Sequence, residues 1–293
     1  MVASFTQACN LSSGPHLINM TKPLAMTTPS TKPVLAPVLF ISHGAPLFAV
    51  SPGTSGPALT AYGKQLQAAH PLKGIVILSP HWMTERLTVM RNPKPKTYHD
   101  FGGFPPALYE LQYPAPGDIE LSDRVQALLA EAGLTPLHDP DRPLDHGIWV
   151  PLMHLFPNAE LPVVQVSLPN DWGPEQVLKL GQALQILREQ GILLIGSGSM
   201  THNLAEFFGG DRKPDPYVEA FSRWVETALA KNDTAALLDY ANQAPSAKRA
   251  HPSDDHFLPL FFAVGAAGSK ATPHYLSREV RYSMLAMDSV VFS

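Results

Sequence analysis

Cysteine is almost absent from this sequence of 293 residues, in which Cys9 is the only one. A single thiol excludes intrachain disulfides and any zinc or iron–sulfur site built on several cysteine ligands. The scarcity also fits a reducing compartment, so we expect a cytoplasmic protein.

Charged residues are scarce as well, at 16% of the chain with a net charge of −4, against ~25% in an average protein. Lysine and arginine are scattered, so no basic patch indicates a nucleic acid or a membrane surface as partner. The longest apolar run, residues 257–268, is shorter than the ~20 residues of a membrane span and contains Pro259. We therefore expect neither a nucleic acid nor a membrane as partner, and the sequence indicates no particular oligomeric state.

Several common catalytic motifs are missing. The sequence has no HExxH, no Walker A pattern, no GxGxxG and no GxSxG. The stretch GSGSMTH at 196–202 is rich in glycine and serine but lacks the lysine of a phosphate-binding loop. Zinc proteases of the HExxH type, P-loop enzymes, dinucleotide-binding enzymes and serine hydrolases with a GxSxG elbow are not indicated.

Residues 1–36 contain no acidic side chain and are rich in Ser, Thr, Pro and Asn. We expect a disordered N-terminal extension, or a start at Met20 or Met26, before a folded domain at 37–293. A transit peptide is disfavoured because this segment has no arginine.

Short apolar runs bounded by Pro, Gly or Ser predict strands that are buried on both faces. The segments between them are amphipathic and predict helices; the first has Ser122 as its expected N-cap and Gly133 as its stop. The end of the chain, 279–293, predicts one or two closing strands. The predicted strands are 38–41, 75–78, 163–168 and 192–195, and the predicted helices are 122–133, 173–191 and 215–230. This alternation predicts one α/β domain with a central, mostly parallel or mixed sheet flanked by helices.

Three histidines lie just beyond the carboxyl ends of predicted strands: His43, His81 and His202. Because ligands of open α/β sheets bind beyond the carboxyl ends of the strands, we expect these imidazoles to meet at one site. His256 is expected in the first turn of a helix capped by Asp254 or Asp255, where the helix dipole favours a neutral ring. Neutral imidazoles without thiolates suit Zn, Fe, Cu or Ni.

Other segments carry polar residues whose role the pattern leaves open. Residues 98–117, with His99 and Asp100, form either a loop that closes over a flat ligand or a plain connection, and 144–152 offers Asp145 and His146. Five further histidines are expected to be structural or solvated: His16, His70, His138, His154 and His274.

Six segments, in this order and at these separations, resemble the LigB superfamily of class III extradiol ring-cleavage dioxygenases, and within it the 4,5-DOPA dioxygenase extradiol branch. The resemblance covers residues 37–293. The segments are ISHGAP, SPHW, YHDFGGFPPALYELQYPAPG, LDHGIWVPL, GSGSMTHNL and DDHFLPL.

The resemblance implies an Fe(II) site, which Zn(II) can also occupy, and a reaction of a catechol such as DOPA, or a related phenolic, with O2. It implies that His43, His81 and His256 are metal ligands. His202 matches a histidine at the metal, either a further ligand or an acid/base catalyst, and His146 matches a second catalytic histidine facing the substrate. Asp255 is an alternative ligand, because non-haem iron oxygenases typically use two histidines and one carboxylate.

Two other functions fit the same scaffold. Memo-like members of the superfamily act in signalling and carry a cysteine near the site, whereas the only cysteine here is Cys9. A zinc hydrolase could use three histidines and a metal-bound water to attack an ester or amide.

Overall fold

The computed structural model describes residues 35–207 and 213–293. The extension predicted at 1–36 therefore lies outside the described residues, apart from Leu35 and Ala36. Ten strands occur in the described part of the chain. They are β1 Val38–Ser42, β2 Gly74–Thr84, β3 Thr88–Met90, β4 Leu137–Asp139, β5 Val163–Pro169, β6 Ile192–Gly198, β7 Pro273–Ser277, β8 Val280–Arg281, β9 Leu285–Ala286 and β10 Ser289–Phe292.

Ten α-helices lie between these strands in the described residues, together with three short 3-10 helices at Pro46–Ala49, Pro106–Glu110 and Gln185–Gln190. The α-helices are α1 Ser55–Ala69, α2 Ile119–Glu131, α3 His146–Leu155, α4 Pro174–Leu184, α5 Leu204–Phe207, α6 Pro216–Ala230, α7 Thr234–Leu238, α8 Tyr240–Gln243, α9 Ala247–Ala250 and α10 Leu258–Ala267.

Eight strands form one mixed sheet in the order β4-β3-β5-β2-β6-β1-β10-β7. Its centre, β5-β2-β6-β1, is parallel, while β10 runs antiparallel to β1 and β3 antiparallel to β5. The four predicted strands are these central ones, and their apolar residues are buried as expected for strands covered on both faces. The predicted α/β fold is confirmed.

Helices cover both faces of the central sheet, and two residues of β6 show how closely the helices pack on it. On one face, a Cβ added at Gly196 would lie 2.0 Å from the Pro259 carbonyl oxygen, so glycine lets α10 approach closely. On the other face, the Ser197 hydroxyl donates to the Gly147 carbonyl oxygen of α3. Alternate residues of one strand thereby position the two helices that flank the carboxyl edge of the sheet.

Three sequence predictions needed correction, two at helix ends and one at the end of the chain. The N-cap of α2 is Asp118, whose carboxylate accepts from the Leu121 amide at 2.9 Å, whereas Ser122 lies in the first turn and donates to the Met90 carbonyl. The helix predicted at 173–191 changes to a 3-10 helix after Leu184 before it ends at Gly191. The end of the chain contains three strands, not one or two, because two-residue pieces, β8 and β9, pair before β10.

His256 does not lie in the first turn of a helix. It occupies a turn that ends just before α10 begins at Leu258. The backbone carbonyl of Asp254, and no side chain, accepts from the Phe257 and Leu258 amides. Among the described residues, no helix is long and apolar enough to cross a membrane.

Candidate active site

The carboxyl edge of the central sheet brings the predicted histidines together. His43 directly follows β1, and its amide donates to the Gly198 carbonyl at 3.0 Å, which ties it to the end of β6. His202 follows β6, and its amide donates to the Ala250 carbonyl at 2.8 Å. His81 lies inside β2, where the ladder with β5 shifts register between Leu78 and Met83. This irregularity bends β2 and breaks the alternation of its side chains, so that His81 points to its neighbours.

Three imidazoles meet around one point. The Nε2 atoms of His43 and His81 are 3.1 Å apart. The ring of His256 lies 5.4 Å from that of His43 and 5.0 Å from that of His81, centroid to centroid. One donor atom from each of the three residues lies within 4.8 Å of the others. Such a cluster of neutral nitrogens is the donor set of a transition-metal site.

In the rings of His43 and His256, the hydrogen bond made by one nitrogen determines which nitrogen is available to a metal. The Ser197 hydroxyl gives its only proton to the Gly147 carbonyl, so it must accept from Nδ1 of His43 at 3.0 Å. Asp255 accepts from Nδ1 of His256 at 2.5 Å. In both rings the proton is therefore on Nδ1 and Nε2 is a bare lone pair, as a metal requires.

The residues present thus fit a bound metal ion. A bare Nε2 of His43 only 3.1 Å from Nε2 of His81 requires either a shared proton or a cation between or beside them. Asp255 is the weaker candidate ligand, because its carboxylate is already bonded to Nδ1 of His256 and is absent from the group of three histidine donors. Its contact is that of a carboxylate that orients a metal-binding histidine.

Two more histidines complete the cluster. His202 stacks on His256 with ring centroids 3.6 Å apart and an angle of 7° between the planes. His146, the first residue of α3, lies 4.0 Å from His81 between ring centroids and is bonded through Nδ1 to Asp100 at 3.0 Å.

Burial keeps four of these imidazoles neutral. It lowers the pKa of His43 and His256 well below the ordinary value, and the neighbouring imidazoles lower both further. Burial lowers the pKa of His81 to about 4 and also lowers the pKa of His202, although Asp255 acts in the opposite direction on His202. Neutral rings at pH 7 can bind a metal or accept a proton.

A cavity of about 510 Å³ opens over the histidines. Its walls are mainly aromatic and aliphatic, with the two glycines of the 98–117 segment between two phenylalanines. The lining residues are His43, Gly44, Ala45, Pro46, His81, Phe101, Gly102, Gly103, Phe104, His146, His202, Leu204, Phe207, His256 and Leu285. Residues 101–104 of the segment 98–117 thus form part of the cavity wall, and the closure of this segment over a flat ligand stays a prediction.

Sequence reasoning named Asp145 but missed the three side chains that bond to its carboxylate, which are those of Ser79, Arg142 and Gln165. Asp145 is fully buried and accepts from Arg142 and Gln165, each at 2.6 Å, and from Ser79 at 2.8 Å. Nothing in the spacing of four residues from three separate segments points to this cluster. The motif DHG names Asp145 but does not reveal its partners.

Other histidines lie outside the cavity. His99 is bonded to the Leu111 carbonyl at 3.0 Å, and His154 to the Phe48 carbonyl at 2.9 Å. His251 is bonded to the Met200 carbonyl at 2.9 Å and packs against Phe221 and Phe257. These three rings support the loops and helices around the site.

Known proteins resemble the chain over most of its length. Residues 37–293 match the family described as the catalytic LigB subunit of aromatic ring-opening dioxygenase. A Beta vulgaris protein named 4,5-DOPA dioxygenase extradiol is 40% identical over 234 residues, which cover 79% of this chain and 87% of that protein. An Escherichia coli K12 protein with the same name is 33% identical over 78% of this chain and 84% of its own length.

A third relative and a solved structure also match most of the chain. Dioxygenase tasH of Hapsidospora irregularis is 32% identical over 81% of this chain and 80% of its own length. The crystal structure of an uncharacterized protein from Escherichia coli K12 matches with a TM-score of 0.73 at 26% identity, covering 88% of this chain and 100% of that one. The resemblance drawn from the six sequence segments is confirmed.

Proposed function

We propose, from the premise that this chain belongs to the LigB family of aromatic ring-opening dioxygenases, that it opens the ring of a catechol with O2 at an Fe(II) ion. His43, His81 and His256 would hold the ion. The observation that carries this proposal is the convergence of three imidazoles below a cavity with aromatic walls. Relatives are named for DOPA, and we take a catechol such as DOPA or a related phenolic as the substrate.

The metal decides between oxygen chemistry and hydrolysis. Bound Fe(II) supplies the redox chemistry that lets triplet O2 react with a spin-paired catechol, whereas zinc has no redox chemistry. The chain contributes three neutral donors and leaves the remaining space above them open to the cavity, as expected for a catalytic rather than a closed structural site.

The other side chains would bind the ring and move protons. Phe101 and Phe104 would pack on the faces or edges of the aromatic ring and exclude water. His202, neutral at pH 7 because burial lowers its pKa, would accept the proton of one catechol hydroxyl. His146 stands across the cluster on α3 and would contact the second oxygen. Both histidines could later return a proton to the opened product, as general acids do.

Oxygen uptake tests this function directly. Protein loaded with Fe(II) without oxygen, mixed with a panel of catechols and then exposed to air, should consume O2 and form a yellow product. The zinc-loaded protein is the matched control and should consume none. Metal binding without uptake for any catechol would favour a Memo-like binding role. Cleavage of an ester under zinc, without O2 demand, would favour the hydrolase.

A further inference from the structure

Asp100 is held in a fixed position relative to the start of α3. The amide of Tyr98 donates to the Leu144 carbonyl at 2.8 Å, and the Leu144 amide donates to the Lys96 carbonyl at 2.9 Å. The indole of Trp149 donates to the Tyr98 carbonyl at 3.0 Å. These bonds tie the segment before Asp100 to Leu144 and to α3. They therefore fix the position of the Asp100 carboxylate relative to α3.

The carboxylate of Asp100 serves two imidazoles. Its Oδ1 accepts from the backbone amide of His146 at 2.9 Å and lies 3.0 Å from Nδ1 of the same residue. Its Oδ2 lies 3.7 Å from Nδ1 of His81, which is too long for a hydrogen bond but close enough for a charge interaction. Within 35–207 and 213–293, its ion-pair partners are these two histidines, and neither lysine nor arginine is among them.

These contacts determine where His146 carries its proton. An ionised carboxylate only accepts hydrogen bonds, so the atom facing it at 3.0 Å must be a donor. The backbone amide of His146 donates to the same oxygen, so Oδ1 of Asp100 acts as an acceptor in both contacts. The proton of a neutral His146 is therefore on Nδ1, and Nε2 carries a lone pair.

Asp145, next to His146 in sequence, does not have this function. Its two oxygens are occupied by Ser79, Arg142 and Gln165. Its charge is compensated by the guanidinium of Arg142, whereas the carboxylate of Asp100 contacts the ring of His146 itself.

We propose that Asp100 is a positioning residue that holds His146 with its proton on Nδ1, so that the bare Nε2 accepts a hydrogen bond from a hydroxyl of the bound catechol. The hydroxyl proton would point to Nε2, and the second hydroxyl would face His202. This assignment rests on the proposed function for the identity of the substrate, but the tautomer of His146 can be measured without turnover.

The structure also allows a different role for Asp100. His81, Asp100 and His146 form a second group whose donor atoms lie within 4.8 Å of one another, so Asp100 could be a metal ligand. We favour the positioning role because the Asp100–His146 contact is already a hydrogen bond, with the ring nitrogen and the backbone amide both donating to the same oxygen.

Nitrogen NMR of the zinc-loaded protein tests the tautomer. Histidine labelled with nitrogen-15 gives different ring shifts for the two neutral forms, and His146→Gln identifies the signals of His146. We expect the Nδ1–H form in the wild type and in the control Asp141→Asn, which changes an exposed carboxylate on the segment before α3. We expect a mixture of forms in Asp100→Asn, and a return toward the Nδ1–H form in Asp100→Glu. A wild-type His146 with its proton on Nε2 would overturn the proposal.

Activity and metal content separate positioning from ligation. The iron-loaded Asp100→Asn variant should keep its metal and lose roughly 10²-fold or more in kcat, in the range of an acid/base contribution. Asp100→Glu should recover part of that loss. Loss of the metal in Asp100→Asn would make Asp100 a ligand and overturn the positioning role, as would wild-type turnover. If the iron-loaded wild type consumed no catechol, the proposed function would fail, and the NMR result alone would decide the role of Asp100.

Discussion

At the scale of single residues, the nitrogen of each imidazole that is already hydrogen-bonded determines which nitrogen is left for a metal. Ser197 and Asp255 accept from the Nδ1 atoms of His43 and His256, and this leaves Nε2 of both rings for a metal. His202 has another environment: it stacks on His256, and its exposed part faces the cavity. The proposed function therefore gives the same residue type two roles, which differ with the neighbours of each ring.

Substitution separates these two roles. His202→Ala should retain the metal and lose about 10²–10⁴-fold in turnover, because it removes a proton acceptor and leaves three ligands in place. His43→Ala should lose both metal and activity. Metal content by atomic emission, measured beside oxygen uptake, checks both variants. If His202→Ala loses its metal, His202 is a ligand and not only an acid/base catalyst.

The histidines at strand ends could be predicted from sequence, and the orienting groups could not. His43 and His202 follow apolar runs, and the carboxyl ends of parallel strands meet at one edge of a sheet. Asp100 and Ser197 obtain their roles from contacts across 46 and 154 positions of the chain. No local pattern encodes such contacts, so the tautomers can be inferred only from the hydrogen-bond partners in the folded structure.

At the scale of elements, the site depends on how closely α3 approaches β2. A Cβ added at Gly147 would lie 2.4 Å from the Ser79 hydroxyl oxygen and 2.9 Å from Cδ2 of His81. Glycine is therefore required because there is no room for a side chain, and the first turn of α3 presses directly on a proposed metal ligand. The sequence predicted the start of β2 but did not predict α3 as a helix, and their close contact is seen only in the structure.

Gly147→Ala should weaken metal binding. The added methyl group would displace His81 or the start of α3, and disturbing the groups that orient a ligand typically costs 10–100-fold in metal affinity. Gly173→Ala is the matched control, because the nearest atom to its added Cβ is 3.7 Å away. Calorimetric titration with Zn(II) measures both variants, and equal affinities would contradict the assigned contact.

At the scale of the whole molecule, the neutral histidines couple stability to pH. Burial lowers the pKa of His81 and of His251 to about 4, and lowers those of His43 and His256 as well. The unfolded chain protonates each imidazole near pH 6.5. The folded protein therefore binds fewer protons than the unfolded chain below that pH, and stability is lost as the pH falls toward 4.

One buried carboxyl group changes the stability in the opposite direction as the pH falls. Burial raises the pKa of Asp288 to about 7, so its ionisation costs stability as the pH rises from its ordinary pKa of about 3.8. Each shifted group changes the free energy of unfolding by about 1.4 kcal/mol per pH unit inside its window. Because four buried histidines oppose one carboxyl group, the free energy of unfolding should on balance decrease as the pH falls.

Urea unfolding of the metal-free protein measures this slope. We expect a smaller free energy of unfolding at pH 5 than at pH 7, and a steeper dependence in Asp288→Asn, which removes the opposing group. A free energy of unfolding that is equal or larger at pH 5 would show that the cluster is not held neutral. Metal binding should stabilise the folded state and make the loss at low pH larger, because protonation competes with the ion.

The central claim is that this chain, with iron held by three histidines, inserts both atoms of O2 into a catechol. The most direct test is mass spectrometry of the product formed by the Fe(II)-loaded protein under isotope-labelled O2, sampled before the aldehyde oxygen exchanges with water. The account predicts a ring-opened product that carries two labelled oxygen atoms, and no such product from His43→Ala. A product with one labelled atom or none, or an intact ring, would contradict it.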